Sequence, residues 1–189
     1  MLLAERAPVD ARILVLGAGG GLELKALAEA HPGWSFDGID PSPDMLRLAR
    51  QTVAAHAERI RLVEGYIDSA PDGPYDGATA LLTFHFIPRE QRLDTLAHIH
   101  RRLKPGAAFL LAHISFPQTE PERSQWIARH VGYSAAPDAD PGQLQQAREA
   151  IAGRLTIFAP EEEEDAATGR VHGCVAVLCR AQLPGLGRV

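Results

Sequence analysis

The chain has 189 residues, 46% hydrophobic and 23% charged, with a net charge of −5. These proportions suit one soluble globular domain and exclude a disordered polymer, a collagen-like chain and a coiled coil. No apolar run approaches the ~18 residues of a membrane span, and the first ten residues lack the basic start and apolar run of a secretory signal. The acidic balance, with a pI near 5.9, disfavours a broad nucleic-acid surface.

Cys174 and Cys179 stand late in the chain and suggest neither a disulfide framework nor a metal cluster, so a reducing cytoplasm is the expected setting. Arg12–Leu16 is a short apolar run ending in glycines and predicts a buried parallel strand. Leu22–His31 carries apolar residues at helical spacing and stops at Pro32-Gly33. A second strand is expected over Trp34–Ile39. Ser42 then caps a helix, with Pro43 at its first position and Met45, Leu46, Leu48, Ala49 and Val53 along it. Ile60–Val63 and Asp76–Leu82 predict the third and fourth strands. Arg89–Leu103 predicts a helix with Leu93, Leu96, Ile99 and Leu103 on one face, stopped by Lys104-Pro105-Gly106, and Ala107–Ile114 a fifth strand. Residues 117–160 look mostly helical around a Pro137–Pro141 loop, and Glu161–Glu164 reads as a solvated helix start. Such alternation gives an α/β fold with a mostly parallel sheet and helices on both faces.

Gly17-Ala18-Gly19-Gly20-Gly21 joins the first strand to the first helix. Glycines there admit positive φ and close backbone approach, and a helix N-terminus offers free N–H groups to an anionic group. Asp40 ends the second strand, where a carboxylate can accept hydrogen bonds from ribose hydroxyls. Together they predict a nucleoside-type ligand. A nicotinamide-dependent oxidoreductase is disfavoured, because the dinucleotide fingerprint wants glycine where Leu22 stands and no Tyr-x-x-x-Lys pair is present.

Gly17, Gly19 and Gly21 in G-x-G-x-G spacing resemble motif I of the class I S-adenosylmethionine-dependent methyltransferases. Ile39–Leu46 (IDPSPDML), the Tyr75-Asp76 start of the fourth strand and Leu103-Lys104-Pro105-Gly106 are similar to further motifs of that family. The resemblance implies a Rossmann-like domain whose cofactor is S-adenosylmethionine. It implies that Gly17, Ala18, Gly19 and Gly21 cradle the methionine end and that Asp40 holds the ribose. Pro41, Met45, Tyr66, Ile67 and Asp68 would border the adenine, with Leu81 and Leu82 as the floor. Two positions depart from the family pattern: Val15 stands where an acid near the methionine amino group is common, and Tyr66 where an acid reaching the adenine amine is common. Thr83–Ile87 and Arg129–Ser134 are also similar to the carboxy-S-adenosylmethionine synthase branch. A carboxymethyl-carrying chemistry or a non-catalytic nucleoside-binding domain are the alternatives.

Methyl transfer needs the acceptor positioned and, for an alcohol or phenol, a proton removed. Thr83, His85, His113, Ser115 and Tyr133 lie where acceptor groups are expected. His85 is the candidate base and Tyr133 its candidate partner. The expected acceptor is a small molecule, with no nucleic acid or membrane partner; a homodimer is one assembly open to it.

Residues 1–164 read as the cofactor domain and 165–189 as an atypical tail. The family closes its sheet with an Ala-Gly-Phe helix and two antiparallel strands, which the tail lacks. Only Lys25 and Lys104 are lysines among 19 basic residues, which suits GC-rich coding. Under such codons, a reading shifted by one base after Glu164 yields an Ala-Gly-Phe segment. A frameshift there is expected. Before the first strand only Met1–Arg6 could form a helix.

Overall fold

The computed structural model describes residues 2–136, 138–159, 162 and 175–180. Six parallel strands form one sheet: β1 (Arg12–Leu16), β2 (Ser35–Asp40), β3 (Ile60–Glu64), β4 (Tyr75–Leu81), β5 (Leu103–His113) and β6 (Val175–Arg180). They lie in the order β3-β2-β1-β4-β5-β6. The helices are α1 (Leu22–Ala30), α2 (Pro43–Thr52), α3 (Arg89–His100), α4 (Glu122–Ser134) and α5 (Pro141–Arg154).

The apolar run of β1 is continuous because both faces of the sheet are covered. Leu14 and Leu16 pack with Tyr75, Phe84, Ile99 and Phe109 on one face. Ile13 and Val15 pack with Leu24, Leu27, Trp34 and Phe36 on the other. The chain runs outward from β1 to β2 and β3, then returns to β4 on the far side of β1. The ends of β1 and β4 therefore frame a crevice at the point where the strand order reverses, the place where open α/β sheets bind ligands.

The predicted elements hold, with four differences. The second strand is Ser35–Asp40 and excludes Trp34. The indole of Trp34 stacks on His31 at 3.8 Å and donates to the Pro8 carbonyl at 2.8 Å instead. α3 ends at His100, because Leu103 already pairs with Tyr75 as the start of β5, and the Arg102 carbonyl accepts from Tyr75 N–H at 2.8 Å. The buried face of α3 is Arg92, Thr95, Leu96 and Ile99, whereas Leu93 is exposed. Arg92 turns inward because its guanidinium lies 3.9 Å over the Phe158 ring and donates to the carbonyls of Ile87 and Thr156. Last, Val175–Arg180 supplies a strand parallel to β5, where sequence reading found no element.

Asp140 caps α5 by accepting from Gln143 N–H at 3.1 Å, with Pro141 behind it, so the predicted loop ends in a proper helix start. A short 3₁₀ turn over Leu2–Glu5 buries Leu3 against the sheet. The stretch around Glu164 where the reading frame is expected to shift lies outside the described residues. Of the Glu161–Glu164 run only Glu162 is described; it accepts from Arg89 at 2.8 Å and from Ala159 N–H at 3.1 Å. Among the described residues no helix is long and apolar enough to cross a membrane.

Candidate functional site

The glycine loop is laced to the end of β2. The N–H groups of Gly17 and Ala18 donate to the Ile39 carbonyl at 2.8 and 2.9 Å, and Gly21 N–H closes the turn on the Ala18 carbonyl at 2.9 Å. Gly17 and Gly19 do different work. Both have positive φ, +79° and +49°. A Cβ on Gly17 would fall 2.0 Å from Thr83 Oγ1, so Gly17 is required by packing. A Cβ on Gly19 would meet nothing nearer than the Gly17 carbonyl at 3.9 Å, which leaves the backbone open to a ligand there. The Thr83 hydroxyl stands 3.1 Å from the carbonyl oxygens of both Leu16 and Leu81 and thereby bridges the ends of β1 and β4.

Asp40 is almost fully buried at the end of β2. One carboxylate oxygen accepts from Gly19 N–H at 2.8 Å and the other from Ser42 N–H at 2.9 Å. Ser42 Oγ in turn accepts from Met45 N–H at 3.3 Å as the cap of α2. One carboxylate thus fixes the loop and the start of α2 together, and its remaining lone pairs are available to hydroxyl donors.

Five large apolar side chains stand exposed around the strand ends: Leu22, Met45, Tyr66, Leu82 and Phe86, with Leu22 at 77% and Tyr66 at 70%. Leu82 has φ +54°, the sole non-glycine residue in that region among those described, and its N–H donates to the Ala112 carbonyl at 2.6 Å. Backbone strain of this kind, about 1–2 kcal/mol, gathers at ligand-binding turns.

The other sequence-predicted residues are placed unevenly. Pro41 is exposed beside Asp40, and Leu81 is half-buried. The Ile67 side chain is buried in the core. The carboxyl of Asp68 is exposed, while its carbonyl accepts from the buried guanidinium of Arg102. Ser115 donates to the Phe158 carbonyl at 3.0 Å. His85 and His113 are both buried. Tyr133 is exposed on α4, and no hydrogen bond or ring contact between it and His85 is found among the described residues.

Burial, with the Arg92 charge behind it, pushes both His85 and His113 down to about 4. Both rings are therefore neutral at pH 7, and His85 can accept a proton through an Nδ1 that has no hydrogen-bond partner among the described residues. Carbon-13 NMR of the imidazole rings is expected to show no midpoint above pH 5 for either residue. Because unfolded imidazoles ionise near 6.5, the fold should lose stability as the pH falls from 6.5 toward 4.

Sequence reading missed one pair. Glu23, in the first turn of α1, brings its carboxyl to the Thr79 side chain of β4. Burial pushes that carboxyl up to about 6, against a small opposing effect of the Thr79 hydroxyl. The two groups are close, yet Glu23 Oε1 and Thr79 Oγ1 are shut off from solvent without an aligned hydrogen bond. The available signal was an acid two residues after the last loop glycine and a lone hydroxyl within an apolar strand.

A family described as a methyltransferase domain matches residues 14–109, about half the chain. A carboxy-S-adenosyl-L-methionine synthase from Chromohalobacter salexigens is 28% identical over 79% of this chain and 57% of its own length. The enzyme of the same name from Campylobacter curvus is 22% identical over 89% and 72%. Among solved structures, the Haloferax volcanii complex of the Trm112 methyltransferase activator with a methyltransferase has a chain superposing with a TM-score of 0.61 at 23% identity, covering 87% of this chain and 63% of that one. PKMT2 from Rickettsia typhi, solved with S-adenosylhomocysteine, superposes at 0.59 with 15% identity, over 85% and 38%. The chain thus spans between about a third and three quarters of the length of these proteins. By its glycine loop, its sheet order and the family match, the chain belongs to the class I S-adenosylmethionine-dependent methyltransferases, and S-adenosylmethionine is its cofactor.

Proposed function

We propose that the chain transfers the methyl group of S-adenosylmethionine to a small-molecule acceptor at the crevice between β1 and β4. The observation that carries this reading is the Asp40 carboxylate, which holds Gly19 N–H and Ser42 N–H at the rim of that crevice and keeps lone pairs for a diol. The open backbone at Gly19 fits a close-lying methionine end, with Gly17, Ala18 and Gly21 shaping the loop. The exposed Met45 and Tyr66 are the side chains best placed to flank an adenine; Ile67, being buried, would contribute backbone, and Pro41, Asp68, Leu81 and Leu82 border the same edge.

S-adenosylmethionine supplies a methyl group already activated on a sulfonium, so the protein's task is to orient the acceptor, exclude water and hold a proton where one is released. A neutral, partly desolvated His85 suits proton acceptance. Support for a small acceptor comes from a cavity of about 520 Å³ between α4 and α5, lined by His130, Val131, Leu144 and Ile151 among others. That volume lies in the usual range for small-molecule sites. His130 also faces His85 closely enough to act on its ionisation.

A second reading is favoured by the names of the curated relatives: a carboxy-S-adenosylmethionine synthase. Against it, the Arg129 guanidinium sits 5.3 Å over Trp126 on its own helix. Isothermal titration calorimetry should give micromolar binding of S-adenosylmethionine and S-adenosylhomocysteine and none of NADH or NADPH. Tighter binding of the carboxylated cofactor would favour the second reading, and NADH binding without adenosyl binding would overturn both.

A further inference from the structure

Glu23 is a carboxylate placed where the fold gains nothing from it. It sits in the first turn of α1, directly after the glycine loop, and its carboxyl reaches Thr79 of β4. Thr79 is the register partner of Val15 in β1, so the carboxyl arrives at the junction of the two strands that frame the crevice. Val15 offers that junction only an apolar side chain, packed in the core. Among the described residues no lysine, arginine or histidine forms an ion pair with Glu23, and Oε1 has no hydrogen-bond partner. Buried carboxylates without partners are costly and are retained where a ligand supplies the missing charge.

The ligand chemistry defines what is missing. The methionine end of the cofactor carries one carboxylate and one ammonium. The N-terminal N–H groups of α1 and the glycine loop are donors and suit the carboxylate. An ammonium has three donors and needs acceptors. The Asp40 carboxylate is already bound to Gly19 N–H and Ser42 N–H on the β2 side of the loop. We infer that Glu23, assisted by the Thr79 hydroxyl, receives the α-ammonium group of the cofactor and sets selectivity for an intact amino-acid end. This rests on the binding site proposed above.

The test is a thermodynamic cycle by isothermal titration calorimetry at pH 8. The proteins are wild type and Glu23→Gln. The ligands are S-adenosylhomocysteine, its desamino analogue and 5′-methylthioadenosine, which lacks the amino-acid end. Wild type should bind the desamino analogue at least tenfold more weakly than S-adenosylhomocysteine. Glu23→Gln should lose at least tenfold on S-adenosylhomocysteine, less than twofold on 5′-methylthioadenosine, and should no longer distinguish the amino from the desamino ligand. The variant removes an unpaired buried charge, so its melting temperature without ligand should be no lower than wild type. Equal losses on all three ligands, or an unchanged preference for the amino group, would overturn the inference. The wild-type preference for the amino ligand tests it without any variant. If S-adenosylhomocysteine and 5′-methylthioadenosine both fail to bind wild type, the binding site itself is wrong.

Discussion

Replacing Asp40 with alanine is expected to weaken S-adenosylhomocysteine binding by a hundredfold or more and to lower stability as well. Two losses combine. The ribose loses charge-assisted hydrogen bonds, about 1.5–3 kcal/mol, or roughly ten- to hundredfold in affinity. The carboxylate also holds Gly19 N–H at 2.8 Å and Ser42 N–H at 2.9 Å, so the loop and the start of α2 lose their shared anchor in the free protein. That second loss should cost about 2–3 kcal/mol of folding stability, since two buried donors give up an ionised partner. Asp40→Asn separates the two effects. Its amide oxygen can still accept one backbone N–H, so stability should return by about half while ribose affinity stays low. Calorimetry and urea unfolding on both variants provide the measurement. Equal affinity in wild type and Asp40→Ala would refute the ribose role.

Gly17→Ala should be the most damaging single methyl in the molecule. Its Cβ would lie 2.0 Å from Thr83 Oγ1 and 2.7 Å from Thr83 Cγ2, at a φ of +79°. The left-handed backbone costs about 1–2 kcal/mol for alanine. The overlap is resolved only if the Thr83 side chain swings away, which forfeits its hydrogen bonding to the Leu16 and Leu81 carbonyls and adds about 1–3 kcal/mol of repacking. A total near 3–4 kcal/mol should appear as a lower urea midpoint with an unchanged slope. The double variant Gly17→Ala, Thr83→Ala removes the two closest atoms and should recover more than 1 kcal/mol relative to additivity. Strict additivity would place the whole cost in the backbone conformation.

The sheet was legible because its signals are local. The run Arg12–Leu16 with its glycines, the Ser42-Pro43 cap and the Lys104-Pro105-Gly106 stop each carry their own chemistry and each appear at the expected place. What escaped depended on distant partners. Nothing near Arg92 in sequence says that Phe158 and the Thr156 carbonyl will draw it inward, so Leu93 was assigned to the buried face that Arg92 occupies. β6 lies outside any family-like signal in the tail, and its place is fixed by pairing with β5 across more than sixty residues of sequence. In the site, Asp40 and the glycines were readable because a strand end and a helix start give those residues an expected role. Glu23 was not, because its meaning arises only when β4 sets Thr79 beside Val15.

The Thr83 hydroxyl has a consequence for how the ligand arrives. By reaching the Leu16 and Leu81 carbonyls at 3.1 Å each, it ties together the two walls of the crevice in the free protein. The walls cannot spread to admit a ligand and close behind it. Encounter is therefore with a slot of fixed gauge, so association should follow a single exponential whose rate rises linearly with ligand concentration and without a plateau from a slow opening step. Differences in affinity among adenosyl ligands would then reside in how fast each one leaves.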